Sequence, residues 1–194
     1  MNNDFATIRD LIMHYIEIDD LEWEGCKAMF TMQHIKKKEI IVSKGEVCRG
    51  IYFVVKGLLR IYFIDHNDDE KTFHFSLENT FATDYQSFLK AIPADFYIQA
   101  LENTTVVQIT YETLQLLYCN LRQGEKLGRL IAEDYFFLMN DKIRAFYTQT
   151  PLDRYNSMNT AFPKIRTRVP QHYIASYLNI SPVHLSRLKR GVEK

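Results

Sequence analysis

Only three cysteines stand in the 194 residues, at Cys26, Cys48 and Cys119. Their number is odd and their spacing wide, so neither a disulfide framework nor a zinc pattern is implied. They read as reduced, partly buried thiols of a cytoplasmic protein. The opening stretch MNNDFATIRD lacks the basic and apolar regions of a signal peptide. No apolar run approaches the ~18 residues that a membrane span needs. Cytoplasmic localisation with no membrane partner is the expectation. Internal repeats and low-complexity segments are missing too. So are G-x-S-x-G, P-loop and HExxH motifs and any paired-carboxylate spacing with catalytic logic, which argues against an enzyme. No metal site is indicated, and no cofactor is expected.

Net charge is also absent, with 24 Lys+Arg against 24 Asp+Glu. The distribution is uneven. Lys164 to Lys194 holds seven Lys/Arg and one Glu, a net of +6, so residues 1–163 carry −6. A basic tail on an acidic body suggests that only the tail meets a polyanion. An apolar fraction of 46% is enough for a packed core.

Phe5, Ile8, Ile12 and Tyr15 recur at helical spacing, and a second short helix fits Leu21–Met29. From Lys38 to Ile109 the sequence is rich in Val, Ile, Phe, Tyr and Thr. Turn signals at Lys44-Gly45-Glu46, Lys56-Gly57, Asp65–Asp69 and Glu102-Asn103 divide it into short strands of a sandwich or barrel. Gly45 and Gly57 are expected at positive φ. The Asp65–Glu70 run is acidic but lacks the Gly and distal Glu of a calcium loop, so it reads as a solvated hairpin tip. Beyond Thr110, Tyr111–Asn120 reads as a short helix. Glu125–Tyr147 reads as a long one interrupted only by Gly128, with Leu127, Leu130, Ile131, Phe137, Leu138, Ile143 and Phe146 as its apolar positions. Pro151 ends that run and can open another helix, which Pro163 closes.

The segment Val169–Arg190 carries the strongest signal. Ile174, Ala175 and Leu178 line one side of a first short helix. Asn179 stands at the turn, where its side chain tolerates the left-handed conformation, and Ile180 can plug the gap between the helices. Ser181 suits an N-cap and Pro182 the position after it. Leu185 and Leu188 form the buried side of a second helix, leaving His184, Ser186, Arg187, Lys189 and Arg190 outward. Two helices, a tight turn, a small residue at the crossing and a basic outer face make a helix-turn-helix. A plain αα-hairpin with a solvated basic face is the competing reading.

These residues together resemble the Crp/Fnr family of transcription regulators, over nearly the whole chain. Lys38-Glu-Ile-Ile-Val-Ser-Lys-Gly-Glu46 looks like the family's first strand and Gly turn. Ile51-Tyr-Phe-Val-Val-Lys-Gly57 looks like a signature strand of cyclic-nucleotide-binding jelly rolls. The long helix falls where the family keeps its dimerisation helix, and the C-terminal segment resembles a short-ended, Bacteroidetes-like subgroup. The resemblance implies an α+β chain: a jelly-roll sensor domain over 1–120, a dimerisation helix over 121–149 and a helix-turn-helix domain over 150–194. It places Leu127, Leu130, Ile131 and Leu138 at the dimer interface. DNA contacts fall to Ser181, His184, Ser186, Arg187, Lys189 and Arg190, with Arg187 at the family's base-reading position.

Three departures modify that expectation. Thr83-Asp84 stands where the family's pocket has Gly-Glu, and Ala94-Asp95 where it has an Arg followed by Ser or Thr. The cation that pairs with the cyclic phosphate is thus missing, so cyclic AMP binding is not carried over. The cysteines do not match the family's iron–sulfur branch, and a lone His74 in a strand reads as structural rather than as a haem ligand. The chain also ends shortly after the second helix, without the hairpin many members carry there. The expected partners are DNA, a second copy of the chain, RNA polymerase and an unknown small-molecule effector. The alternative is a ligand-binding module that signals through protein contacts.

Overall fold

The computed structural model describes residues 5–192. Two helices open the chain: α1 (Ala6–Tyr15), which buries Ile8 and Ile12, and α2 (Asp20–Lys27). Asp19 caps α2 in a reciprocal box with Glu22, which places its start inside the chain's acidic turn rather than at Leu21.

Eight strands follow: β1 (Thr31–Ile35), β2 (Ile40–Val42), β3 (Ile51–Lys56), β4 (Leu59–Ile64), β5 (Glu70–Ser76), β6 (Phe81–Ala82), β7 (Tyr97–Ala100) and β8 (Thr104–Ile109). They form two four-stranded antiparallel sheets, in the orders β1-β8-β3-β6 and β2-β7-β4-β5. This is a jelly roll, with Phe53, Val54, Leu59, Ile98, Val106 and Val107 in its interior. One expectation is corrected. The strand region begins at Thr31, so the Lys38–Glu46 segment supplies the second strand and not the first. β1 shows no clean alternation of burial and is held by pairing with β8.

Gly57 has φ +108, and a Cβ there would lie 2.5 Å from the Thr104 hydroxyl oxygen. Both conformation and space therefore demand glycine. Asp65 to Asp69 form the tip of the β4–β5 hairpin, where Lys71 bridges both of those carboxylates.

A short helix α3 (Tyr85–Lys90) joins β6 to β7. After β8 come α4 (Tyr111–Asn120) and α5 (Gly124–Thr148). Gly128, the one break in the long helical pattern, lies under the Tyr118 ring: a Cβ there would come within 2.5 Å of its hydroxyl oxygen. Thr150 and Asp153 form a capping box with Pro151 at the first turn of α6 (Pro151–Ala161). A one-turn helix α7 (Ile165–Arg168) follows the left-handed Lys164. Then come α8 (Gln171–Tyr177) and α9 (Pro182–Val192). No helix among the described residues is long and apolar enough to cross a membrane.

Two cores result. One fills the jelly roll and takes in α1, α2, α4 and the start of α5. The other joins Tyr155, Met158, Phe162, Ile165, Ile174, Ala175, Leu178 and Leu185 of the C-terminal helices to Leu58, Phe75 and Leu101 of the roll. The C-terminal helices are packed onto the β-domain.

Candidate nucleic-acid interface

α8 and α9 meet through buried Ile174, Ala175, Leu178 and Leu185, with Ile180 packed against them. Asn179 adopts φ +54, so the turn is left-handed at the position its side chain favours. The Ser181 hydroxyl accepts the His184 N–H at 3.2 Å and caps α9. His184, Arg187 and Arg190 are exposed, Ser186 and Lys189 half-buried, and Leu188 is half-buried beneath them. The outward face of α9 thus carries two guanidiniums, an ammonium, an imidazole and a hydroxyl, with no carboxylate over residues 181–190.

The four residues assigned to the sensor pocket come together in space. The Thr83 hydroxyl donates to the Gly50 carbonyl at 3.1 Å. Asp84 is 5% exposed, and both its oxygens are engaged. One accepts the Ser87 N–H at 3.1 Å and caps α3; the other accepts the N–H groups of Asp95 at 3.0 Å and Phe96 at 3.4 Å. Ala94 is buried and tied in both directions to the Gly45 turn, through Gly45 N–H to its carbonyl at 2.9 Å and its own N–H to the Glu46 carbonyl at 2.8 Å. Asp95 is exposed. The amide donors beside Ala94 are therefore already taken by the chain's own carboxylate.

Residues 32–120 match the cyclic nucleotide-binding domain family. Among solved structures, FixK2 from Bradyrhizobium japonicum is similar with a TM-score of 0.72 at 16% identity, covering 84% of each chain. A putative Crp/Fnr transcriptional regulator from Eubacterium rectale gives 0.70 at 17% identity, covering 99% of this chain and 88% of that one. CooA from Carboxydothermus hydrogenoformans, as a mutant, gives 0.68 at 16% identity, covering 94% and 82%. No curated protein matches by sequence. The chain carries a cyclic nucleotide-binding domain within a Crp/Fnr fold.

Within this fold α5 has two faces. Leu127 is 8% exposed and sits in the core of its own β-domain, with Ile131 packed against the same core. The Tyr135 hydroxyl accepts the Phe81 N–H at 2.7 Å and fixes that face to β6. Leu127 is thereby corrected from an intersubunit to an intrachain position, because helical periodicity turns it into the roll, while Ile131 packs against the same core and keeps part of its surface open. Leu130 is half-buried, and Leu138 is exposed. The large apolar groups left open on the helix are Phe136, Phe137, Leu138, Ile143, Phe146 and Tyr147.

The helix-turn-helix docks on β5, an edge strand of its sheet. The Ser176 hydroxyl accepts the Thr72 N–H at 2.8 Å and reaches the Glu70 carbonyl at 3.1 Å, so one side chain satisfies both groups of an open edge. Beside it Arg60, fully buried, lies between the rings of Tyr62 and Tyr173, with its guanidinium carbon 4.2 and 3.7 Å from their centroids. It donates to Thr72 Oγ1 at 2.9 Å and to Glu70 at 2.5 Å. Farther along, Arg168 of α7 binds Glu78 and Glu102, each at 2.7 Å, and the Gly57 carbonyl at 3.0 Å. These two carboxylates raise the Arg168 pKa still further, and in return burial notwithstanding Glu78 is drawn down to about 2. Sequence reading missed this whole junction. The one visible hint was an arginine, Arg60, inside an otherwise apolar strand.

Proposed function

We propose that the chain is a homodimeric, sequence-specific DNA-binding transcription regulator, and that it acts without cyclic AMP. The observation that carries the reading is the capped helix α9, whose basic outer face follows a helix-turn-helix turn of the right handedness. Arg187 reads bases, because an exposed guanidinium in the major groove can grip guanine O6 and N7 together. His184 and Ser186 add to the readout. Ser181, Lys189 and Arg190 grip phosphates, which sets register without reading sequence. Pairing through α5 would set two such helices about one DNA turn, ~34 Å, apart. The division of labour follows the three segments 1–120, 121–149 and 150–194. RNA polymerase is the natural further partner for a regulator of this architecture. Selection of fragments from random DNA tests the reading. An inverted repeat should emerge, with affinity falling steeply as salt rises. Recovery of no preferred sequence would favour the alternative, signalling through protein contacts.

Cyclic AMP and cyclic GMP should not bind usefully. Ala94 supplies no cation, and Asp84 already occupies the amide donors beside it. Loss of one charge-assisted contact alone weakens a complex on the order of ten- to a hundredfold. Calorimetric titration is expected to give no heat with either nucleotide at micromolar concentrations; a micromolar dissociation constant would contradict the assignment.

A further inference from the structure

A cleft of about 840 Å³ opens between β5, the second half of α5 and helices α6 to α8. It is separate from the Thr83–Ala94 cradle, none of whose residues lines it. Its volume is that of a pocket for a small organic molecule. Leu77, Leu138, Phe146, Met158, Phe162 and Tyr177 supply apolar wall.

The polar groups of the cleft are out of balance. Five cationic side chains and two carboxylates line it. Both carboxylates are committed, Glu78 to Arg168 and Asp141 to Arg144. Among the described residues Lys142, Arg154 and Lys164 have no carboxylate within ion-pair distance. Arg154 is held by the carbonyls of Gln149 and Leu178. Lys142 is the unusual one. Its ammonium lies over the rings of Phe73 and Tyr177, 5.0 and 4.2 Å from their centroids, and donates to the Phe73 carbonyl. Burial pushes its pKa down to about 7. Alongside it, His74 is 5% exposed and its Nδ1 has no hydrogen-bond partner. Burial first, and the Lys142 charge second, hold that imidazole neutral, with a pKa near 3. A half-buried ammonium without a counterion, beside an unsatisfied buried nitrogen, is costly unless something completes the site.

We propose that this cleft binds a small organic acid, with its anionic head at Lys142 and His74 and its apolar body along Phe162, Met158 and Leu138. The head would give Lys142 the counterion it lacks and His74 a polar neighbour. The body would run along the edge of the C-terminal core and cover Leu138, which is exposed. An anion is favoured over a neutral ligand by the cationic excess, and over a bare inorganic ion by the apolar lining. The cleft is walled by sensor strand, long helix and helix-turn-helix at once, so an occupant touches every part of the chain that a regulator must couple. Binding itself does not depend on α9 meeting DNA.

Octanoate is the test ligand, with 1-octanol and acetate as controls, titrated by calorimetry into the full chain. Octanoate should bind at least about tenfold tighter than either control, which lacks the head or the body. Lys142→Met should weaken octanoate on the order of ten- to a hundredfold, Lys142→Arg should hold it within about threefold, and Ala161→Trp, which fills the cleft, should abolish it. Circular dichroism checks that each variant folds. Absence of octanoate binding to the wild-type chain would overturn the proposal. So would equal binding of octanol, or unchanged affinity in folded Lys142→Met.

Discussion

Phe137→Asp should leave the chain monomeric at micromolar concentration and weaken binding to a two-site operator on the order of 10²–10⁴-fold. The long helix α5 buries one face against its own β-domain, through Leu127, Ile131 and Tyr135. The opposite side keeps Phe136 at 62% exposure, Phe137 at 58% and Ile143 at 56%. Aromatic and branched groups in a contiguous run are not left in water without reason. Leu130 and Phe137 stand one heptad apart, as do Phe136 and Ile143, which is the repeat that lets two parallel helices pack. A carboxylate in that seam would be buried unpaired. Once the copies separate, the second half-site is no longer met within the same complex, and the loss of effective concentration gives the expected factor. Sedimentation equilibrium on the variant measures the first effect and operator titration the second. A Phe136→Asp, Phe137→Asp chain that remains dimeric would move the subunit contact off α5.

Arg60→Ala should lower the stability of the chain by about 2–4 kcal/mol and loosen the helix-turn-helix from the β-domain. The guanidinium is wholly buried, stacked between Tyr62 and Tyr173 and bonded to Thr72 and Glu70. Breaking a buried pair costs about 3–5 kcal/mol. Here the value is reduced on two grounds. Glu70 is 46% exposed and therefore partly screened, and Arg60 Nη2 has no acceptor. For a chain of this size the loss corresponds to a fall in Tm on the order of 10 °C. Arg60→Met keeps most of the volume between the two rings and should recover part of the loss. Amide exchange should rise in α8 more than in β3. A folded Arg60→Ala with unchanged Tm and exchange would show that the docking rests on the apolar core alone.

Local chemistry was legible in the sequence. The short helix Tyr111–Asn120, the opening of α6 at Pro151, the left-handed Asn179 and the Ser181 cap are all set by residues within a few positions of each other. The jelly roll was legible because its turns need particular residues, Gly57 above all. What escaped depends on partners far along the chain. Ser176 and Thr72 are 104 residues apart, and nothing near Ser176 announces that it will close a sheet edge. β1 exists because β8 pairs with it, although Gln33 and His34 interrupt its apolar pattern. Leu127 and Leu130 look alike on a helical pattern, and only the position of the β-domain decides that Leu127 turns inward. In the candidate site, the adjacency of Thr83-Asp84 and Ala94-Asp95 was foreseen from family resemblance. That Asp84 takes the amide donors there with its own carboxylate was not, because a capping aspartate and a ligand-facing one read alike in sequence.

The central claim is that α9 reads DNA, and comparing Arg187→Ala with Lys189→Ala on selected and random duplexes over a range of salt tests it most directly. Arg187→Ala should bring the two duplexes together by about 1–3 kcal/mol while the salt slope hardly changes, since a base contact is lost and phosphate contacts remain. Lys189→Ala should weaken both duplexes alike and reduce the slope by about one. An Arg187→Ala chain that keeps its full preference for the selected sequence would contradict the assignment of α9 as the reading helix.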